Sequence, residues 1–128
     1  MKLTKDDLVL IDKAKSLAGA RKVGGGIVKE VGCALITKKG NIFTGASMDL
    51  ACGIGFCAEH SAVSDMISHS NETEIKTVVA HSGKRIMYPC GRCRELMQLI
   101  NIKNRNTQVI IPGHKKIKLG SLLPGNWI

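Results

Sequence analysis

The sequence predicts a mixed α/β fold in which helices cover both faces of a single sheet. The chain has 128 residues, which fits one domain over 1–128, and its 44% hydrophobic and 23% charged content is ordinary for a folded protein. Helical and strand-like patterns follow one another as helix, hairpin, helix, strand, helix, strand, strand. Because this order interleaves helices with strands, we expect three layers, helix on sheet on helix.

The first half of the chain is predicted to contain one helix and one hairpin. Thr4 followed by Asp7 has the form of a capping box, and apolar residues then recur at helical spacing until Gly19. Strand-forming residues resume on both sides of a turn rich in lysine, glycine and asparagine. The predicted elements are a helix from Thr4 to about Gly19, a flexible joint at 24–26, strands at 27–37 and 42–44, and an irregular loop at 46–56.

The second half is predicted to alternate helices with short strands. Its elements are a helix at 57–69, a strand at 75–80, a helix beginning near Pro89, and strands at 107–111 and 117–119. A parallel connection between neighbouring strands needs about a dozen or more residues, which the short gap between the last two strands does not provide. The last two strands are therefore predicted to be antiparallel.

Composition limits the classes of partner. Lysine and arginine number 19 against 10 acidic residues, a formal net charge of +9, which is compatible with an anionic partner but is also typical of a solvated basic surface. Only two Phe, one Tyr and one Trp are available to stack on bases, so nucleic acid is not the expected partner. With no apolar run long enough to span a membrane and no signal-like start, we expect a soluble, cytoplasmic protein.

Three cysteines at two places in the chain have the spacing of a metal site. Cys57 is expected to open one helix, and Cys90 and Cys93 to lie in the first turn of another. A helix N-terminus favours thiolate over thiol, and a catalytic zinc ion typically takes three protein ligands and leaves a fourth position for water. We therefore predict Zn²⁺ as the cofactor, held by these three sulfur atoms.

Glu59 lies two residues after Cys57, where its carboxylate is better placed to reach a water molecule on the metal than the metal itself. This position predicts a hydrolytic reaction in which Glu59 takes a proton from water and later returns protons to a ring nitrogen and a departing amine. The backbone N–H groups of Ala58 and Cys90 are candidate orienting groups. Arg92, Arg94 and His60 are candidate neighbours that would moderate the negative charge of three thiolates.

Other interpretations of the cysteines remain open at this point. Cys52 with Cys57, Cys90 and Cys93 could form a closed four-thiolate structural site, which would leave Glu59 without a role. The Cys-x-x-Cys pair could instead be a redox dithiol, although that interpretation does not explain Cys57 and Glu59. Cys33, inside an apolar strand, is predicted to be a buried small hydrophobic residue.

These motifs give the sequence a resemblance to a known family. Cys57-Ala58-Glu59 followed by Pro89-Cys90-Gly91-Arg92-Cys93-Arg94 resembles the cytidine deaminases, in the branch that acts on free nucleosides and binds zinc through three cysteines. The similarity covers most of the chain after about Val31. It implies a five-stranded sheet, a homotetramer, and hydrolytic release of ammonia from cytidine, deoxycytidine or an analogue such as blasticidin S.

The sequence departs from that family pattern at the positions that would bind substrate. Where cytidine deaminases usually have Asn-x-Glu after the hairpin, this chain has Ser47 and Asp49, and the glycines at 24–26 stand where relatives place a substrate-contacting Phe. Trp127 is placed like the aromatic ending of blasticidin S deaminases and is a candidate to contact the ligand. The alternatives are therefore a deaminase of another heteroaromatic amine, or a non-catalytic zinc-stabilised binding module.

Overall fold

The computed structural model describes residues 2–128, which form three α-helices and eight β-strands. The helices are α1 (Lys5–Leu17), α2 (Ala58–His69) and α3 (Gly91–Ile100). The strands are β1 (Arg21–Val23), β2 (Gly26–Thr37), β3 (Ile42–Leu50), β4 (Gly55–Phe56), β5 (Ile75–His81), β6 (Ile86–Met87), β7 (Gln108–Ile111) and β8 (Lys115–Lys118). Short 3₁₀ turns cover Ala51–Gly53, Ile102–Asn106 and Leu119–Leu122.

All eight strands belong to one mixed sheet. Its main order is β4-β3-β2-β5-β7-β8, while β1 pairs with β2 and β6 pairs with β5. The β5–β7 pair is parallel, and the final β7–β8 pair is antiparallel, as the short connection predicted. The expected count of five strands is wrong, because the three shortest strands, β1, β4 and β6, pair at the margins of the five longer ones.

Helices cover both faces of the sheet, which confirms the three-layer prediction. Neighbouring residues of β2 point to opposite faces, so Ala34 packs beneath α1 while Cys33 and Leu35 pack beneath α2 and α3. The α1 face is built from Leu10, Ile11, Ala14, Ala34, Val79, Ile86 and Ile110. The opposite face includes Leu35, Ala62, Val63, Met66, Ile75, Val78, Met97, Val109 and Leu119. Cys33 is fully buried, as predicted.

Two predictions for the small-residue segments are wrong. The region 46–56 is not an irregular loop, because β3 continues to Leu50 and β4 pairs back onto it at Gly55–Phe56. A Cβ atom on Gly45 would lie 2.4 Å from the backbone nitrogen of Ala62, so the small residues of β3 let α2 pack close to the strand. The glycines at 24–26 are not a joint either, since Val23 pairs with Gly26 across a tight turn.

α1 is fixed at its N-terminus by a capping box and an ion pair. The Thr4 hydroxyl accepts the Asp7 N–H at 3.2 Å, and the Thr4 N–H donates to the Asp7 carboxylate at 2.8 Å, as the sequence predicted. The same carboxylate accepts a hydrogen bond from Lys116 of β8 at 2.7 Å, with both side chains only 6% exposed. This contact joins the first helix to the last strand. Within residues 2–128, no helix is both long and apolar enough to cross a bilayer.

Candidate active site

Two helix N-termini meet on the α2–α3 side of the sheet. Cys57 is the residue before α2 and Cys90 the residue before α3, both in extended conformation, and Cys93 lies in the first turn of α3. Neither Cys57 nor Cys90 uses its side chain to cap its own helix. The sulfur atoms of Cys57 and Cys90 are therefore available to act as metal ligands.

The three sulfur atoms converge on one point. Cys57 Sγ and Cys90 Sγ are 3.2 Å apart, and the Sγ atoms of Cys57, Cys90 and Cys93 all lie within 4.8 Å of one another. Tetrahedral zinc with Zn–S bonds of about 2.3 Å needs sulfur atoms about 3.8 Å apart. The donor set and its spacing therefore fit a zinc ion. Cys52 is exposed and is not part of this group, so the four-thiolate alternative lacks its fourth ligand here.

The thiol groups influence one another. Burial, together with the neighbouring Cys90, raises the pKa of Cys57, and burial and the nearby Glu59 raise that of Cys93. Burial also acts to raise the pKa of Cys90, but hydrogen bonds from the Cys93 N–H and the Cys57 thiol outweigh it and lower that pKa. Without a cation, the surroundings thus disfavour the thiolate form of Cys57 and Cys93 and favour that of Cys90. A divalent ion supplies the positive charge that three thiolates need.

Glu59 lies in the first turn of α2, directly beside the sulfur cluster. Glu59 is only 4% exposed, yet it lines the same cavity as Cys57 and Cys90. Burial raises the pKa of the Glu59 carboxyl, with a smaller opposing effect from its own backbone N–H. A carboxyl group with a raised pKa is suited to taking up and returning a proton near neutral pH.

A cavity of about 470 Å³ opens in front of these groups. That volume is within the range of small-molecule sites. Its wall is mostly apolar with a few polar groups, and its lining residues are Glu30, Val31, Ser47, Met48, Asp49, Gly53, Ile54, Gly55, Phe56, Cys57, Ala58, Glu59, Ala80, Met87, Tyr88 and Cys90.

The candidate substrate-binding residues fall into two groups. Ser47, Asp49 and Ala58 all line the cavity, and the Ser47 hydroxyl is held in place by accepting the Val31 N–H at 3.0 Å. Trp127 does not line it. The residue is 70% exposed, and its indole N–H donates to the Glu95 carboxylate at 3.1 Å.

The candidate neighbours of the sulfur atoms are also placed differently from one another. His60 packs against Phe56 with ring centroids 5.1 Å apart. The Arg94 guanidinium donates to the carbonyl oxygens of Pro89 at 2.7 Å and Leu122 at 3.3 Å. These hydrogen bonds go to backbone carbonyl groups, one of them on the residue before Cys90, rather than to sulfur. Arg92 is exposed.

Several cavity residues were not singled out from the sequence. Glu30 and Val31 reach the cavity because β2 bulges beside Ser47, and Met87 and Tyr88 reach it at the start of the segment before Cys90. Lys29, inside this bulge, has a positive φ angle of 64°. Positive φ angles are usually adopted by Gly, Asn or Asp, so a lysine at this position gives no sequence signal for a bulge. Phe56 could have been found, because it directly precedes Cys57.

Comparisons with known proteins agree with this geometry. Residues 5–109 match the family model described as the cytidine and deoxycytidylate deaminase zinc-binding region. The chain is 31% identical over 94 residues to a cytidine deaminase of Halalkalibacterium halodurans, an alignment that covers 73% of this chain and 64% of that protein. It is 37% identical over 67 residues to a probable cytidine deaminase of Dictyostelium discoideum, covering 51% of this chain and 46% of that protein. The matched region thus spans less than two thirds of each curated relative.

Solved structures show the same fold over 98% of the chain. The cytidine deaminase of Mycobacterium tuberculosis superposes with a TM-score of 0.80 at 22% identity, covering 98% of this chain and 99% of that one. The cytidine deaminase of Burkholderia pseudomallei gives a TM-score of 0.71 at 25% identity, covering 98% and 100%.

Fold and site together define an α/β/α protein in which three cysteines are grouped so that they could hold a metal ion, beside a buried carboxylate that faces a cavity of small-molecule size. With residues 5–109 matched by the family model, the chain belongs to the cytidine and deoxycytidylate deaminase family.

Proposed function

We propose that this protein is a zinc-dependent hydrolytic deaminase of a cytosine-type nucleoside, cytidine or deoxycytidine in the first place, releasing ammonia. The observation that carries the proposal is the position of Glu59, buried beside three convergent cysteine sulfurs at the wall of a cavity of about 470 Å³. Family membership and the cytidine deaminase relatives support the same reaction.

Cys57, Cys90 and Cys93 would hold the zinc ion. When bound, the ion would supply a Lewis acid that makes a water molecule more acidic and keeps a position open for it. Three thiolates and one divalent ion sum to a charge of minus one, so the site needs no further anionic ligand. Glu59, two residues from Cys57, is then free to handle protons.

Glu59 is assigned the proton transfers. The reaction adds water to the carbon that carries the amino group, forms a C–O bond and breaks the C–N bond, converting the cytosine-type base and water to the uracil-type base and ammonia. Glu59 takes a proton from the water and passes it to the ring nitrogen; it then takes the remaining proton, from the hydroxyl group on the attacked carbon, and delivers it to the departing amine. Its raised pKa suits a group that must hold a proton during part of the cycle.

The remaining cavity residues are assigned to binding. Ala58 is fully buried at the start of α2, where its N–H can orient the reacting groups. Ser47 and Asp49 lie two residues apart on one face of β3 and offer a hydroxyl and a carboxylate to the sugar. Trp127 lies outside the cavity of its own chain, so a role in ligand binding would require a second subunit. A homotetramer remains a prediction.

The test is ammonia release by the zinc-loaded protein. Cytidine, deoxycytidine, blasticidin S, free cytosine and adenosine would be compared under the same conditions. We expect turnover of cytosine nucleosides and little or none of adenosine. Release from adenosine alone would favour a different heteroaromatic amine as substrate, and no release from any cytosine nucleoside would contradict the proposal.

A further inference from the structure

The charge of the cavity differs from the charge of the protein as a whole. The chain carries nine more basic than acidic residues, yet the residues lining the cavity include Glu30, Asp49 and Glu59 and no lysine, arginine or histidine. The loaded metal cluster adds a further negative charge. Clefts lined by one sign of charge raise the local concentration of ligands of the opposite sign.

An irregularity in the sheet places one of these carboxylates at the cavity. The register of β2 against β3 runs from Val28 opposite Met48 to Gly32 opposite Ala46, so residues 29–31 all lie opposite Ser47. Lys29 takes a φ of 64°, and the Val31 N–H closes the bulge by donating to the Ser47 hydroxyl. Bulges of this kind redirect side chains beside functional sites. Here the bulge brings Glu30 to the wall that also carries Asp49.

The carboxylates occupy different depths of the cavity. Glu59 is buried beside the sulfur atoms, whereas Glu30 and Asp49 are exposed and so lie toward the solvent side. Because the carbon that loses ammonia must lie at Glu59, the sugar of a bound nucleoside points toward Glu30 and Asp49. These two residues belong to the proposed substrate cavity and are not an ion site of their own.

We propose that Glu30 and Asp49 make this cavity selective for the charge on the sugar side of the substrate. A cytosine nucleoside bearing an ammonium or guanidinium group there is favoured over a neutral nucleoside, and a nucleoside phosphate is disfavoured. The inference rests on the proposed function and narrows its substrate class. Exposed charge pairs have modest energies, so the two carboxylates together are expected to change the preference by about 3- to 10-fold.

The experiment compares three compounds that differ only at the 5′ position. They are cytidine, 5′-amino-5′-deoxycytidine, whose amine is protonated at pH 7, and cytidine 5′-monophosphate. With the zinc-loaded protein at low salt, we expect kcat/KM for the amine to exceed that for cytidine by about 3- to 10-fold, and kcat/KM for the phosphate to fall about 10-fold or more below that for cytidine. Higher ionic strength should bring both kcat/KM values closer to that for cytidine, because salt screens the charges.

Variants test whether Glu30 and Asp49 are responsible for the preference for the amine over cytidine. Asp49→Asn and Glu30→Gln should each lower the preference for the amine over cytidine, and the double variant should bring the ratio to within about 2-fold of one. Asp12→Asn is the matched control, since Asp12 is an exposed carboxylate on α1, across the sheet from the cavity, and its loss changes net charge equally. An amine-to-cytidine ratio near one in the unaltered protein, or one that the double variant leaves unchanged, would overturn the inference.

A binding measurement separates this inference from the reaction itself. Calorimetry with uridine, 5′-amino-5′-deoxyuridine and uridine 5′-monophosphate reads the charge preference without turnover. If no cytosine nucleoside is deaminated but the amine still binds more tightly than uridine, the proposed function fails and the charge selectivity stands. If cytidine is deaminated and the ratios are flat, the selectivity fails alone. No binding of any of the three overturns the selectivity.

Discussion

Glu59 and Asp7 are two carboxylates in matching positions with opposite environments. Each lies in the first turn of a helix and each is only 4% exposed, but α1 and α2 lie on opposite faces of the sheet. Burial acts to raise the pKa of Asp7, and hydrogen bonds from Lys116 and Thr4 outweigh it and hold that pKa below its ordinary value. Burial raises the pKa of Glu59, which faces thiol groups and an open cavity.

The difference separates a structural carboxylate from the one that we propose to be reactive. Asp7 has its charge compensated inside the protein, so it can fix a helix to an edge strand but has nothing left to offer a ligand. The charged form of Glu59 is disfavoured, because its carboxylate is buried beside a cavity and has no cationic side chain like Lys116 within residues 2–128 to stabilise it. Proteins commonly accept such a cost at active sites, where activity and stability conflict.

The largest expected effect comes from removing the charge at Glu59. Glu59→Gln should lower the rate of ammonia release from cytidine by about 10²- to 10⁴-fold, because an amide cannot accept and return protons. Zinc content, measured by atomic absorption, should stay at the level of the unaltered protein. The metal-free variant should melt at the same temperature or higher, since a buried charge has been removed. Retained activity, or a lower melting temperature, would contradict the roles assigned here.

The next effect in size is expected at Lys116. Lys116→Met leaves the Asp7 carboxylate buried without its cation, which should lower the free energy of unfolding at pH 7 by about 3 kcal/mol in urea denaturation. The activity per folded, zinc-loaded molecule should not change. Lys118→Met, an exposed lysine on the same strand, is the control and should stay within about 0.5 kcal/mol of the unaltered protein.

Acid should reduce the difference between the Lys116→Met variant and the unaltered protein. Because the folded pKa of Asp7 is lowered, its contribution to stability is full above the unfolded pKa of about 3.9 and is lost as pH falls through the folded value. In the variant, burial without a cation raises that pKa, so the variant loses its penalty as Asp7 takes up a proton. Urea denaturation repeated between pH 7 and pH 3 should show the gap narrowing. A constant gap would argue against a charge effect.

The smallest effect is expected at Cys52. Cys52→Ser should leave one zinc per chain and an unchanged rate of ammonia release, because this exposed residue is not part of the sulfur cluster. Cys93→Ser, measured in parallel, should lose zinc. Release of zinc from the Cys52 variant would instead support a four-thiolate structural site and a non-catalytic protein.

The features that could be predicted from the sequence are those that short-range chemistry constrains. Cysteine spacing was enough to predict that Cys57, Cys90 and Cys93 lie together, and the starts of the two helices that carry them were predicted to within a residue or two. The strand at 46–50 could not be recognised because Gly45 and its small neighbours are typical of loops, whereas here they make room for α2. The conformation of this region depends on packing against α2, which a local sequence pattern does not show.

Other features depend on distant partners in the same way. The two-residue strands β4 and β6 exist because β3 and β5 lie beside them, and no local propensity specifies so short an element. The bulge at Lys29 and the indole contact of Trp127 with Glu95 likewise depend on residues that are far away in sequence. The walls of the cavity were therefore less predictable than its reactive groups.

A zinc titration of the metal-free protein tests the central claim most directly. Zinc would be added in steps to the unaltered protein and to Glu59→Gln, and ammonia release from cytidine followed at each step. We predict that activity rises linearly and reaches a plateau at one equivalent of zinc in the unaltered protein, while the variant binds the same equivalent and stays at background. Full activity without zinc, or equal activity in the variant, would contradict the account.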